Sequence, residues 1–259
     1  MRNLFSVEGK HVVVTGGSRG IGLMIAQGFV ENGAHVYISA RKAEACDGAA
    51  QHLRQYGDCH SFPADLSTAE GMDTLFAGVS QKTEKVDVLV NNAGATWGAA
   101  IDEFPEEGWD KVMGVNVKGL FFLSQRFLPL LRNAATAEDP ARIINIGSID
   151  GIRTSALETY SYAASKAAVH HLTKAMAKRL ARDMITVNAI APGPFESKMM
   201  AATLTAMQKQ IEAQVPRGRI GSPEDMAGTS LYLASRAGAY VTGVIIPVDG
   251  GISGTNAPV

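Results

Sequence analysis

The chain of 259 residues holds only two cysteines, Cys46 and Cys59, and their spacing suits no metal site. So few thiols exclude a disulfide scaffold and fit a reducing compartment, with a single Cys46–Cys59 bridge left open. Neither sign of charge is in surplus: 24 Lys and Arg face 25 Asp and Glu, for a formal net charge of -1. No strong field is therefore available to hold a nucleic acid or an anionic membrane. No stretch reaches the ~20 apolar residues needed to cross a bilayer. The first ten residues are polar and contain Glu8, so no signal peptide is expected, and the expected location is the cytoplasm. Internal repeats, low-complexity blocks and linkers are missing too. With 46% hydrophobic and 19% charged residues, there is enough apolar material for a real core. A single domain spanning residues 1–259 is expected.

What is present is alternation. Short apolar or β-branched runs read as strands at His11–Thr15, Ala34–Ser39, His60–Pro63, Val86–Asn91, Arg142–Gly147, Ile185–Ala191 and Val244–Val248. Several are apolar nearly throughout, as parallel strands covered on both faces are. Helical periodicity fills the gaps at Gly20–Asn32, Ala43–Tyr56, Thr68–Thr83, Gly108–Arg132, Tyr160–Arg182 and Pro223–Ala234. This predicts an α/β fold: a Rossmann-type, doubly wound parallel sheet of about seven strands with helices on both faces. Pro129 falls inside the fourth helix and predicts a kink there. Asn133–Pro140 reads as a surface loop.

Directly after the first strand comes Thr15-Gly16-Gly17-Ser18-Arg19-Gly20-Ile21-Gly22, and a helix begins at once. Glycines let the backbone turn tightly and approach a pyrophosphate, which the helix N-terminus then attracts. The second strand ends Ile38-Ser39-Ala40-Arg41, with no acid at its tip to bind a ribose diol and repel a 2′-phosphate. Arg41 and Arg19 can instead converge on a phosphate dianion, although two ordinary solvated arginines would look the same.

Tyr162 and Lys166 are four apart on a helix and share a face. A phenol titrates near pH ~10 and an adjacent ammonium draws it toward neutrality, which is how proton shuttles are tuned. Ser148 follows the fifth strand, at the edge where open α/β sheets place ligands, and its hydroxyl can steady a developing oxyanion.

The spacing of Gly16, Gly20 and Gly22, with Ser148, Tyr162 and Lys166 in that order, resembles the short-chain dehydrogenase/reductase family from Val7 to about Gly251. The resemblance implies an NADP(H)-dependent oxidoreductase that moves a hydride to or from a carbonyl or secondary alcohol. It implies catalytic roles for Asn116, Ser148, Tyr162 and Lys166, with Asn116 supporting a water that connects Lys166 to solvent. It implies cofactor contacts from Gly16, Ser18, Arg19, Gly20, Ile21, Gly22, Ser39 and Arg41. Asp65 and Leu66 match the adenine contact, and Asn92, Ala93 and Gly94 the segment lining the cofactor. Pro192, Gly193, Phe195 (through its backbone) and Ser197 stand where the family holds the nicotinamide, beside Tyr162 and Lys166. Ser148 to Tyr162 is one residue longer than the commonest family spacing, which leaves the shape of the substrate mouth open.

The C-terminal pieces Gly218-Arg219, Ser222-Pro223-Glu224-Asp225 and Val248-Asp249-Gly250-Gly251, with Arg142–Gly151 and Ala237–Gly251, resemble bacterial 3-oxoacyl-carrier-protein reductases. That points to reduction of a 3-oxoacyl thioester, and the long fourth and fifth helices resemble those through which family members assemble into tetramers, which implies a homotetramer. A sugar, polyol or secondary-alcohol dehydrogenase shares every catalytic residue and stays open, as does a dinucleotide-sensing regulator. Thr96, Trp97, Asp150 to Ile152 and a lid-like stretch from Pro194 to about Val215 are candidates for the pocket wall. The lid holds Phe195, Met199, Met200 and Met207, facing substrate or merely packing the lid. His170 and His171 read as helix-surface or subunit-contact residues. His11, His35, His52 and His60 have no metal-ligand spacing, so no metal is expected. Lys178, Arg179 and Arg182 read as a solvated basic helix end, with docking of an acidic carrier protein as the rival reading.

Overall fold

The apolar runs form strands because both of their faces are covered: Val12, Val13 and Val14 are fully buried, as are Val88, Leu89 and Val90. A computed structural model describes residues 3–155, 157–197 and 200–255, the side chains of 201–204 and 206 excepted. Its strands are β1 (His11–Thr15), β2 (His35–Ser39), β3 (Cys59–Ser61), β4 (Val88–Asn91), β5 (Ala141–Ile146), β6 (Ile185–Pro192) and β7 (Ile245–Val248). They make one parallel sheet in the order β3-β2-β1-β4-β5-β6-β7. The chain reverses its direction of winding between β1 and β4, and a crevice opens there at the C-terminal strand ends.

Side chains alternate across β1: Val12 and Val14 enter one core and Val13 the other. The first core packs the sheet against α1 (Gly20–Glu31), α2 (Ala43–Leu53) and α8 (Pro223–Ala234), through Ile25, Phe29, Leu53 and Leu233. The second packs it against α3 (Ala69–Ser80), α5 (Leu120–Ala134) and α6 (Tyr160–Leu180), through Leu75, Phe127, Leu131 and Leu180. Each of these burials contributes about 1.5–3 kcal/mol. Cap chemistry sets helix starts: Thr68 accepts from the Gly71 N–H at 3.0 Å, and Ser222 with Asp225 forms a capping box ahead of α8.

The expected helix over Gly108–Arg132 is not one α-helix. It is α4 (Glu106–Met113), a π-helical turn over Gly114–Gly119, and α5. The departure from α geometry falls at that turn rather than at Pro129, which α5 carries through to Ala134. A further helix, α7 (Ala201–Gln214), occupies the lid-like stretch. Cys46 and Cys59 are both buried free thiols, so the open Cys46–Cys59 bridge is not formed. Among the described residues no helix is long and apolar enough to cross a membrane, and no acidic, histidine or thiol cluster suits a metal.

The loop at Asn133–Pro140 is more than a connection. Arg142 in β5 is fully buried; its guanidinium forms an ion pair with Asp139 and donates to the Ser235 carbonyl at 2.8 Å. Lys10 reaches the other oxygen of the same carboxylate at 2.6 Å. Removing one partner of a buried pair strands a charge in low dielectric, which costs more than replacing the charge by hydrocarbon. Asp139→Ala is therefore expected to lower unfolding free energy by about 3 kcal/mol and Arg142→Met by clearly less, read by urea denaturation.

Candidate active site

The glycine-rich turn is braced from the neighbouring strand. The Thr15 hydroxyl donates to the Val90 carbonyl at 3.2 Å and accepts from the N–H groups of Asn92 and Ala93, both at 2.9 Å. Asn92 Nδ2 donates to the Thr15 carbonyl at 2.8 Å and the Gly16 carbonyl at 3.3 Å. The carboxamide nitrogen of Asn92 thus shapes the turn. A Cβ on Gly22 would lie 2.3 Å from the Gly16 carbonyl oxygen, and Gly20 has φ +52, so both positions require glycine. Arg19 is the N-cap of α1; no side chain caps that helix and its first turn has no acid. Its first N–H groups and the positive end of its dipole are left for an anion. Across the crevice, a Cβ on Gly20 would sit 3.1 Å from Ser197 Cβ. Ser18 is half-buried beside them, and Ile21 packs against the first core.

At the tip of β2, Ser39 is fully buried and its Oγ has no hydrogen-bond partner. Arg41, just beyond, is exposed, as is Arg19. Asp65 accepts from the Ser67 N–H at 3.0 Å and Ser67 Oγ at 2.7 Å. Those bonds hold its carboxyl below the usual range, and Arg41 lowers it further. Leu66 is buried behind it. An unpartnered hydroxyl, two guanidinium groups and no acid at the strand tip form a donor set that fits a phosphorylated ribose. The turn fits the pyrophosphate of the same dinucleotide.

Ser148 lies two residues beyond β5 as the N-cap of a short 3₁₀ turn, Ile149–Gly151, and its Oγ accepts from the Asp150 N–H at 3.1 Å. Tyr162 is half-buried in the first turn of α6. Burial pushes the phenol up to about 12; the nearby Ser148 hydroxyl opposes this and the Asp150 carboxylate adds to it. Lys166 is buried, its Nζ donating to the Ile146 carbonyl at 2.7 Å and lying 5.5 Å from the centre of the Tyr162 ring. Burial lowers its ammonium to about 8. Burial rather than the ammonium sets the phenol in this geometry.

Asn116 projects from the π turn and is 2% exposed. Its Oδ1 accepts from the Ala95 N–H at 2.8 Å, while Nδ2 donates to the Ala95 carbonyl at 3.0 Å and to Ser165 Oγ at 2.9 Å. Ser165 in turn donates to the Tyr162 carbonyl at 2.7 Å. Asn116 therefore ties the loop after β4, with Gly94 beside it, to the helix that carries Tyr162 and Lys166. Thr15 and Ser165 do such bracing without a strong sequence signal, although each directly adjoins a motif residue.

On the far side, Pro192 ends β6 and the Gly193 N–H donates to the Val248 carbonyl at 3.0 Å. The Phe195 side chain is buried under Gly221 and its backbone pairs with that residue. Ser197 Oγ accepts from the Met200 N–H at 3.2 Å. Met200 is half-buried, Met207 is 47% exposed, and Met199 lies outside the described residues. His171 is exposed as expected, but His170 is not a surface residue: it is 7% exposed, because Gly147 and Gly151 leave room for its ring against α6. Lys178 and Arg179 are exposed, and Arg179 lies 3.7 Å from Asp183.

Over the site, the loop after β4 meets the segment before α6 where the Ala99 N–H donates to the Glu158 carbonyl at 3.2 Å. Phe104 makes edge contacts with Tyr160 at 5.9 Å and Trp109 at 6.5 Å, and Trp97 packs under Gly108. Ile152, Leu157 and Tyr160 stand exposed around this rim.

Residues 16–253 match the family described as enoyl-(acyl carrier protein) reductase. The chain is 50% identical over 253 residues to the rhamnolipids biosynthesis 3-oxoacyl-[acyl-carrier-protein] reductase of Pseudomonas aeruginosa, covering 97% of this chain and 99% of that one. It is 35% identical over 272 residues to the short-chain dehydrogenase/reductase PhomF of Diaporthe leptostromiformis, covering 96% and 93%. The solved RhlG/NADP active-site complex of Pseudomonas aeruginosa superposes with a TM-score of 0.94 at 49% identity, over 98% of this chain and all of that one. These matches span nearly the whole of a doubly wound sheet with a glycine turn at its switch point, a serine beyond β5 and a Tyr–Lys pair on α6, and the chain belongs to the short-chain dehydrogenase/reductase family.

Proposed function

We propose that this protein is an NADP(H)-dependent reductase that converts a carbonyl to a secondary alcohol, with a 3-oxoacyl thioester as its substrate. The observation that carries the reading is Tyr162 on α6 with the buried Lys166 Nζ 5.5 Å from the centre of its ring and Ser148 just beyond β5, on the sheet edge that also carries the glycine turn. The turn from Gly16 to Gly22, with Ser18 and Ile21, would hold the pyrophosphate. Ser39, Arg41 and Arg19 would hold the phosphorylated ribose, and Asp65 and Leu66 the adenine. Asn92, Ala93 and Gly94 with Pro192, Gly193, Phe195 and Ser197 would enclose the nicotinamide half, whose ribose falls to Tyr162 and Lys166. When bound, the dinucleotide supplies the hydride that reduces the carbonyl carbon.

The rest of the chemistry belongs to side chains. Ser148 donates to the carbonyl oxygen and steadies its developing charge. Tyr162, with a pKa near 12, stays protonated across the physiological range and gives its proton to that oxygen. Lys166 holds ribose hydroxyls while it is charged, and Asn116 keeps the Tyr162 helix in place through Ser165. The apolar side chains of Trp97, Phe104, Ile152, Leu157 and Tyr160 around the rim suit an acyl chain. The name of the Pseudomonas relative supports the same substrate class. Turnover of a 3-oxoacyl thioester against a sugar and alcohol panel tests this, and inactivity toward the thioester overturns it.

The reading extends to a cytoplasmic homotetramer without nucleic-acid or membrane partners. Phe121 and Phe122 on α5, each over a third exposed, support an interface with a second copy, and two free buried thiols suit a reducing compartment.

Tyr162→Phe keeps the ring but removes the proton, so turnover should fall by at least 10²–10⁴-fold while NADPH affinity, read by fluorescence titration, stays within about twofold. Arg41→Ala should raise the KM for NADPH by about 10–100-fold and leave that for NADH nearly unchanged, as expected for one lost charge-assisted hydrogen bond. Lys166 is charged below its pKa of about 8 and neutral above it, whereas Tyr162 does not titrate until about 12. Reductive kcat/KM should therefore hold steady below pH 8 and decline above it, as a pH–rate profile reads directly.

A further inference from the structure

We infer that His170 is a positioning residue for Ser148: its imidazole is the plate on which the catalytic serine loop rests. The inference builds on the reductase reading above. His170 lies four residues beyond Lys166, on the same face of α6, and is 7% exposed. Two glycines bracket Ser148, and both lie against this ring. A Cβ on Gly147 would come 2.1 Å from His170 Nε2, and one on Gly151 would come 2.9 Å from Cε1 and 2.7 Å from the Lys166 carbonyl carbon. The segment Gly147–Gly151 thus runs across the imidazole with no space between.

The same segment fixes the serine. The Gly147 N–H donates to the Ile190 carbonyl at 2.7 Å, the Gly151 N–H donates to the Ser148 carbonyl at 3.0 Å, and the Asp150 N–H donates to Ser148 Oγ at 3.1 Å. The Ser148 hydroxyl is therefore aimed by the turn Ile149–Gly151, and that turn is seated on His170. Nε2 is buried without a hydrogen-bond partner, so the ring is held as much by shape as by polarity. Burial lowers the imidazole pKa and the Lys166 and Lys174 cations lower it further, against an opposing influence of the Gly151 backbone. The effect of His170 passes through the placement of Ser148.

The test uses His170→Ala, His170→Asn, Gly147→Ala and the Gly147→Ala/His170→Ala double variant, in the intact protein. His170→Ala should lower kcat by about tenfold with NADPH affinity within twofold, because the serine loop shifts while the dinucleotide site does not. His170→Asn, which keeps a polar group toward the turn, should recover part of that loss. Gly147→Ala drives a methyl into the ring and should cost about 100-fold in kcat and lower Tm. Removing the ring in the double variant should restore both, with kcat at least tenfold above that of Gly147→Ala alone. Unchanged kcat in His170→Ala, parallel loss of NADPH binding, or a double variant no better than Gly147→Ala would each overturn the inference. The recovery of Tm reads the contact itself whichever carbonyl the enzyme reduces, so failure of the substrate assignment and failure of this inference give different results.

Discussion

A buried ammonium organises the site. Taking the Lys166 cation out of water is costly, and its direct compensation is one carbonyl, that of Ile146 at 2.7 Å, with the Tyr162 ring 5.5 Å away. That carbonyl belongs to the last residue of β5, so the position of the charge is set by the sheet edge, and Ser148 follows two residues later. The desolvation that lowers Lys166 to about 8 also raises Tyr162 to about 12. In water the two groups titrate close together and the ammonium holds its proton slightly more firmly. Inside this pocket the order is reversed with a wide gap, so the proton stays on the phenol. A phenol that resists ionisation is suited to delivering its proton only when a stronger base, the developing alkoxide, appears beside it.

Holding α6 where this can happen falls to a polar ladder beneath the site. Asn91 at the end of β4 donates to Ser124 of α5 and to Asn145 of β5, both at 2.9 Å, and Asn145 donates to Thr173 of α6 at 2.9 Å. Asn91 and Asn145 are register partners in the sheet, so the ladder runs directly across it and fastens one helix at each end. Buried polar groups joined in this way rigidify a core because each loss strands a neighbour. Asn116 and Ser165 repeat the device one layer higher, and the π turn is what allows it. The extra residue in that turn carries Asn116 inward to the backbone of Ala95, a role the sequence period of a plain α-helix would not assign.

The architecture was legible in the sequence for a physical reason: parallel strands covered on both faces must be apolar runs, and the seven runs are the seven strands, with shifts of a residue or two at their ends. The glycine turn and the Tyr162–Lys166 pair were legible because their chemistry requires those residue types at those spacings. What escaped depends on tertiary contact. Asn92 is expected from sequence to line the cofactor, but the sequence does not show that its Nδ2 also serves the carbonyls of Thr15 and Gly16. His170 follows the polar side of a helix pattern, yet two glycines some twenty residues earlier in the chain clear a space for it. The π turn hides in an uninterrupted apolar period. The mutual tuning expected of Tyr162 and Lys166 was half visible, since the pairing is in the sequence but the burial that dominates both groups is not.

The two sides of the crevice differ in how freely they can vary. On the dinucleotide side, Gly22 faces the Gly16 carbonyl and Thr15 holds three backbone groups at once, so almost any substitution there disturbs the turn. On the substrate side, the rim is made by two loops joined through the Ala99–Glu158 bond and aromatic edge contacts around Phe104. Neither the ammonium at Ile146 nor the polar ladder passes through that rim. Trp97 or Leu157 can therefore change without disturbing the anchors that hold the Tyr162 helix. A scaffold divided in this way keeps one reaction while its mouth is refitted to different carbonyl compounds, which is why the apolar character of the rim, more than the catalytic set, carries the information about substrate.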